Sequence, residues 1–257
     1  MSAVERLITI PISHYCEKAR WALERARVDY REERHVQGIH RIVAKRAGGG
    51  ETVPVLVTPE RVLGESQEIM YYADERAPDG LRLFPADPLM REDVESLCAR
   101  FDAVLGPKAR RLIYVHMFGE QRDFALRIND QGVPDWEDFT LRHGWPLAER
   151  FLRWALDIHD GVEVEDERAV FGELDFVAER LSDGRVHLCG DEFTAADLTF
   201  ASLAAAVVLP EEYGVTLPQP DELTPRTAAL VNRVREHAGG RYALAMFAEH
   251  RRQSVVV

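Results

Sequence analysis

In ISHYCEKARWAL, residues 12–23, the frame of a Cys-x-x-Cys redox site carries a hydroxyl in its attacking place: Ser13 stands where the first cysteine would be, and Cys16 follows three residues on. Residues 7–11 before it are short, apolar and β-branched, which suits a strand. Ser13 then offers a helix N-cap, and Ala19, Ala22, Leu23 and Ala26 recur at i, i+3, i+4 and i+7, so a helix of about three turns follows. Cys16 falls in line with Ala19 and Leu23 on the apolar stripe. That position predicts a small buried hydrophobe rather than a reactive thiol.

Outward from this helix, residues 30–35 read as a second strand and 38–47 as a weak helix stopped by Ala47-Gly48-Gly49-Gly50. Residues 53–57 and 62–63 read as a hairpin turning near 58–61, and 66–76 as another helix. The order is β-α-β-α-β-β-α. From 77 to 93 the chain carries Pro78, Gly80, Pro85 and Pro88, which is linker chemistry between two independently packed bodies. Beyond it the patterns are helical, at 92–115, 145–158, 167–181, 194–208 and 225–237. GVEVEDER, residues 161–168, reads as solvated acidic surface, in a loop or at a helix start. The expected organisation is an α/β unit over residues 1–82, a linker over 83–91 and an all-helical unit over 92–257.

The 257 residues are 46% hydrophobic and 30% charged, a soluble globular balance. Lys plus Arg total 32 against 44 Asp plus Glu, a formal charge of −12 that repels polyphosphates in the absence of a basic face, so no nucleic-acid partner is expected. The longest apolar run, near 198–209, is too short to span a bilayer, and no signal-peptide core opens the chain. No membrane association and a cytoplasmic location are expected. Cys16, Cys98 and Cys189 are far apart, without metal-ligand spacing and odd in number, so neither a metal site nor a disulfide framework is expected.

A helix N-terminus presents unpaired N–H groups and partial positive charge. Serine there is a poor nucleophile without a base, and the adjacent His14 is expected to point elsewhere. As a donor to a thiol from outside the protein it is better suited. Lowering a thiol pKa by about two units takes about 2.7 kcal/mol of preference for the anion. A hydrogen bond to a charged group supplies roughly 1.5–3 kcal/mol and a helix end roughly 0.3–1, which together suffice. Tyr15 either offers a phenol near the same helix start or lies against the neighbouring domain. Val53-Pro54 precedes a strand, and a cis bond there would leave the Val53 main chain free to pair with an extended ligand. Glu65 and Ser66 stand at a helix start, where hydroxyl and N–H groups hold a carboxylate while Glu65 accepts from an ammonium, matching an amino-acid end group.

Together, Ser13-x-x-Cys16-x-Lys18-x-Arg20, Val53-Pro54, Glu65-Ser66, the proline-rich linker and Phe193-Thr194-Ala195-Ala196-Asp197 resemble the glutathione transferase superfamily over essentially the whole chain. The resemblance implies an α/β thioredoxin-like N-terminal domain that binds glutathione and an all-α C-terminal helical domain that helps form the electrophile pocket, in a homodimer serving detoxification. It gives Ser13 the thiolate-stabilising role of serine-type members, with Tyr15 as a second catalytic candidate. Val53, Pro54, Glu65 and Ser66 become thiol-binding candidates, and His40 and Lys45 candidates for the glycyl carboxylate. Thr194 and Asp197 match the family's structural capping box. Arg110, Arg111 and Tyr114 lie on a helix that in this family faces the first domain's site, so they are substrate-binding candidates. The segment 116–150 makes the second domain longer than in the simplest members. Trp136, Phe139, Trp145, Phe151 and Trp154 are expected in the core or the domain interface, with one or two available to wall a pocket.

The implied enzyme activates glutathione, or another low-molecular-weight thiol, for attack on an apolar electrophile by conjugation, dehalogenation or thiol-assisted isomerisation. The alternatives are a non-catalytic thiol-binding or scaffold protein that keeps the fold, and a redox enzyme working through an exposed Cys16.

Overall fold

The computed structural model describes residues 4–118 and 122–251; the outer ends of the two expected units, residues 1–3 and 252–257, lie outside that range. The first unit runs β1 (Glu5–Thr9), α1 (His14–Arg25), β2 (Tyr30–Arg34), α2 (Ile39–Arg46), β3 (Val55–Val57), β4 (Val62–Leu63) and α3 (Ser66–Arg76). This is the element order read from the sequence. The strands form one sheet in the order β2-β1-β3-β4, with β1 parallel to β2 and antiparallel to β3. Because strand side chains alternate between faces, Leu7, paired with Leu56, packs into the cluster holding α1 and α3, while its neighbour Ile8, paired with Val55, packs against Ala44 of α2. The sheet is thus covered on both sides by the helices that its crossovers supply.

The second unit is helical: α4 (Pro88–Ala103), α5 (Leu105–Met117), α6 (Arg122–Asn129), α7 (Asp135–Ala155), α8 (Val162–Arg180), α9 (Ala195–Val208), α10 (Pro225–Glu236) and α11 (Ala238–Met246). The single helix expected over 92–115 is broken at Val104, where φ and ψ are −110° and −64°. Pro107 explains the break. Inside a continuous helix it would lack a donor and crowd the carbonyl four residues back; in a helix restarted at Leu105 it sits in the first turn, where no donor is needed. Helix α7 instead runs through Pro146, and the Arg142 carbonyl that this proline leaves unpaired accepts a hydrogen bond from Arg122 at 3.0 Å. The acidic segment 161–168 enters α8 as a helix start, and its Asp166 is buried between Arg111 and Lys108 rather than solvated.

The apolar core does not divide at the proline-rich segment. One buried cluster holds Leu7, Trp21 and Leu56 of the first unit with Phe101, Phe200 and Phe247 of the second. The Trp21 ring lies 5.7 Å from Phe193 and 4.8 Å from Phe247. Trp145 is buried as expected, but Trp136, Phe139 and Trp154 are exposed on the outer face of α7, with Trp136 at 60% and Trp154 at 76%. A surface helix needs only its inner stripe to be apolar, so aromatic composition alone did not assign the face.

Candidate active site

The site is built on the turn between β1 and α1. Arg20, itself buried, donates to the Ile10 and Pro11 carbonyls at 3.2 Å each, and pairs with Glu32 at 2.7 Å and Glu17 at 3.2 Å. Lys18, fully buried, reaches Asp102 of α4 at 2.7 Å and Gln67 at 3.1 Å. Arg20 holds the turn and Lys18 holds α1 to the second unit. Ser13 caps the helix from an extended conformation, its Oγ accepting from the Cys16 N–H at 3.3 Å. The hydroxyl therefore uses a lone pair for the cap and keeps its proton to donate.

Ser13 opens on a cavity of about 410 Å³ between the two units. The first unit supplies a polar rim: Gln37, Gly38, His40, Arg41, Glu51 and Thr52. The second supplies an apolar wall, with Ile113, Tyr114 and Met117 from α5 and Phe124, Phe151 and Leu152 from α6 and α7. The longer segment of the second unit is thus the cavity's roof. It is docked by Glu137, which accepts from the Val36 N–H at 3.0 Å and pairs with His35 at 2.7 Å. Gln37 adds a second tie, donating to the Asn129 side-chain carbonyl of α6, and also donates to the Tyr114 hydroxyl of α5 at 3.0 Å.

Of the residues singled out in the sequence, Ser13, His40, Arg110 and Tyr114 meet in this cavity. Tyr15 does not. Its hydroxyl donates to the Asp102 carbonyl at 3.0 Å, and burial, with the Asp102 charge, pushes its pKa up to about 12. Gly106 permits this close approach, since a Cβ there would stand 2.2 Å from the Tyr15 hydroxyl. Arg111 turns away to grip Asp166 through two bonds of 2.6 and 2.8 Å. Lys45 is 72% exposed and pairs with Glu51 at 3.4 Å, outside the lining. Val53–Pro54 is cis, and Val53 stands just before the β3 ladder, next to the cavity's Thr52. Glu65 is the N-cap of α3 and Ser66 its buried first residue. Glu65 is close enough to Tyr15 for its charge to act on the phenol.

Family models agree with this architecture along the chain: the glutathione S-transferase N-terminal domain matches residues 7–80 and the glutathione S-transferase C-terminal domain residues 159–238. The chain belongs to the glutathione S-transferase superfamily. Its sheet unit is the superfamily's thioredoxin-like domain, and its helical unit the C-terminal domain. Glutathione transferase F2 of Populus trichocarpa is 18% identical, over 95% of this chain and 99% of that one, with a TM-score of 0.57. The β-etherase LigF of Sphingobium sp. strain SYK-6 is 17% identical, over 95% and 99%, with a TM-score of 0.58. A glutathione S-transferase of Rhodospirillum rubrum F11 is 21% identical, over 96% and 99%, with a TM-score of 0.53. At these identities the likeness carries the fold. No curated protein matches the sequence.

Within this glutathione S-transferase fold the cavity also holds residues that the sequence reading passed over. His14, expected to point away, is 3% exposed and lines the cavity beside Arg110. Burial first, and the Arg110 charge second, hold its pKa down at about 3, while a hydrogen bond to the Gly106 carbonyl opposes them. The ring is neutral, and its Nε2 has no partner. Arg41, one place after His40, is the cation of α2 that reaches the cavity, where Lys45 was expected. His40 is held down to about 4, chiefly by burial. Cys16 is fully buried, and burial raises its thiol pKa, so its sulfur has neither the access nor the ionisation that redox chemistry requires.

Proposed function

We propose that the chain is a transferase of the glutathione S-transferase type, in which Ser13 and the opening end of α1 hold the sulfur of a bound small thiol as its thiolate for attack on an apolar electrophile in the cavity. The observation that carries this reading is that the Ser13 hydroxyl, with its proton still to donate, stands at the mouth of a cavity with apolar walls. A thiolate at a helix N-terminus is favoured by the helix end and by the hydroxyl, and it is the reactive form. Conjugation, dehalogenation and isomerisation all begin with this attack.

Glutathione is the proposed thiol. Its γ-glutamyl end group would meet Glu65 and Ser66 at the start of α3, its main chain would pair with Val53 before Pro54, and its glycyl carboxylate would approach His40 and Arg41. The superfamily's habits make a cytoplasmic homodimer acting in detoxification part of the same proposal. The test is to titrate the purified protein with glutathione and with other small thiols, following thiolate absorbance for wild type and Ser13→Ala. Wild type is expected to lower the bound thiol's pKa by about two units, and the variant to lose most of that shift. Equal pKa values in the two proteins would remove Ser13 from the chemistry, and failure to bind any thiol would favour the scaffold reading.

A further inference from the structure

Among the described residues two arginines line the cavity, and they differ. Arg41 is paired with Glu51. Arg110 has no hydrogen-bond or ion-pair partner among the described residues, and its Nε is both shut from solvent and unsatisfied. Beside it the neutral ring of His14, 3% exposed, carries a second unsatisfied nitrogen. The acids nearest in effect, Asp102 and Glu65, act with Arg110 on the Tyr15 phenol, but Asp102 is held by Lys18 and neither lies within ion-pairing distance of Arg110. Arg110 is half-buried and lines the cavity, so a guanidinium held there without a counter-charge gains from an anion that joins it.

The surroundings say what kind of anion. Arg110, Ile113, Tyr114 and Met117 recur at i, i+3, i+4 and i+7 of α5, and all four line the cavity. One helix face therefore offers an apolar wall with a cation at its end. The thiol-binding candidates lie on the first unit, whereas this face belongs to the second. We propose that the electrophile taken by this cavity is an apolar molecule bearing a carboxylate, and that Arg110 binds that carboxylate. The inference rests on the reading of the cavity as the electrophile site. Arg110 is a specificity residue, and the planar guanidinium suits a carboxylate better than an ammonium would.

Binding is tested first, without turnover. Calorimetry on the full chain compares 4-ethylbenzoate with 4-ethylbenzamide, two ligands of one shape that differ in charge. Wild type is expected to bind the benzoate about 10- to 100-fold more tightly. Arg110→Met should abolish the preference and Arg110→Lys should keep part of it. Kinetics follow with glutathione and either 4-(chloromethyl)benzoate or its methyl ester, where the thiolate sulfur bonds to the benzylic carbon and chloride leaves. The kcat/KM ratio of acid to ester is expected to fall by about 10- to 100-fold in Arg110→Met.

Equal binding of benzoate and benzamide by wild type overturns the proposal, a comparison that needs no variant to fold. So does a preference that survives in Arg110→Met. A raised KM for glutathione with an unaltered acid-to-ester ratio would assign Arg110 to the thiol's own carboxylate and overturn it as well. A benzoate preference in a protein that stabilises no thiolate would sink the enzyme reading alone, and thiolate formation without the preference would sink this inference alone.

Discussion

His14 sits one residue past the capping hydroxyl, and its environment makes folding sensitive to acid. In the unfolded chain its ring titrates near 6.5; in the fold, burial and the neighbouring guanidinium of Arg110 hold it at about 3. Between those values the unfolded state takes up a proton that the folded state refuses. The stability contributed by keeping His14 neutral is therefore complete above pH 6.5 and lost as the pH falls toward 3, a loss on the order of 3 kcal/mol by pH 4. His40, held at about 4, works in the same direction. Urea unfolding of wild type and His14→Gln at pH 7 and pH 4 checks this. The variant should lose less stability on acidification, by an amount of that order; equal losses would mean that the ring ionises freely in the folded protein. At this scale the sequence was legible where a residue's role follows from its neighbours along the chain. Ser13 as a cap and Cys16 on an apolar stripe are such residues. His14 and Arg41 were not, because each is defined by α5 or the cavity, which local sequence does not encode, and for Tyr15, whose hydroxyl meets Asp102 of α4, the sequence left two readings open.

Among the elements, the roof of the cavity depends on a few polar contacts. Glu137, 1% exposed near the start of α7, accepts from the Val36 N–H and pairs with His35. Glu137→Ala would leave a buried backbone donor without a partner, and should cost about 2–4 kcal/mol of unfolding free energy. Glu75→Ala, on the exposed end of α3, should cost under about 0.5 kcal/mol. Chemical denaturation of the two variants measures both, and a Glu137→Ala protein as stable as the control would mean that the roof is held by its apolar contacts alone. The alternation of strands and helices in the first unit was readable because short periods and glycine punctuation agree there. So was the capping box of α9: Asp197 accepts from the Thr194 N–H at 2.7 Å and from the Thr194 hydroxyl at 2.9 Å. The length of α7 was not readable. Pro146 suits the first turn of a helix, so the sequence began the helix at 145, whereas α7 starts at Asp135 and runs through the proline, with the distant Arg122 pairing the carbonyl left free. The break at Val104 was hidden for the opposite reason, since the apolar period runs on through it and only Pro107 marks the restart.

At the scale of the molecule, the proline-rich segment suggests two bodies, yet the interior joins them. Nearly all of α1 is buried because it lies between its own sheet and the second unit, and Trp21 touches aromatic rings of that unit. Charges cross the same boundary. Lys18 reaches Asp102, Glu17 accepts from Arg251 at 2.8 Å and from the Gly214 N–H at 3.1 Å, and the Tyr213 hydroxyl donates to the Ile12 carbonyl at 2.9 Å. Separating the units would expose the shared apolar cluster, take Arg251 and the Gly214 N–H from Glu17, and leave Lys18, fully buried in the fold, with the neutral Gln67 in place of the Asp102 carboxylate. Neither unit can then open fully while the other stays folded, so native-state hydrogen exchange should give the slowest amides of β1 and α9 the same opening free energy, to within about 0.5 kcal/mol. Amides of β1 that open well below those of α9 would mean that the first unit unfolds on its own, and that the common core is less cohesive than its burial implies. Equal values would tie the cavity to global stability. Its mouth at Ser13 and its wall on α5 belong to different units, and their spacing would then hold for as long as the chain is folded.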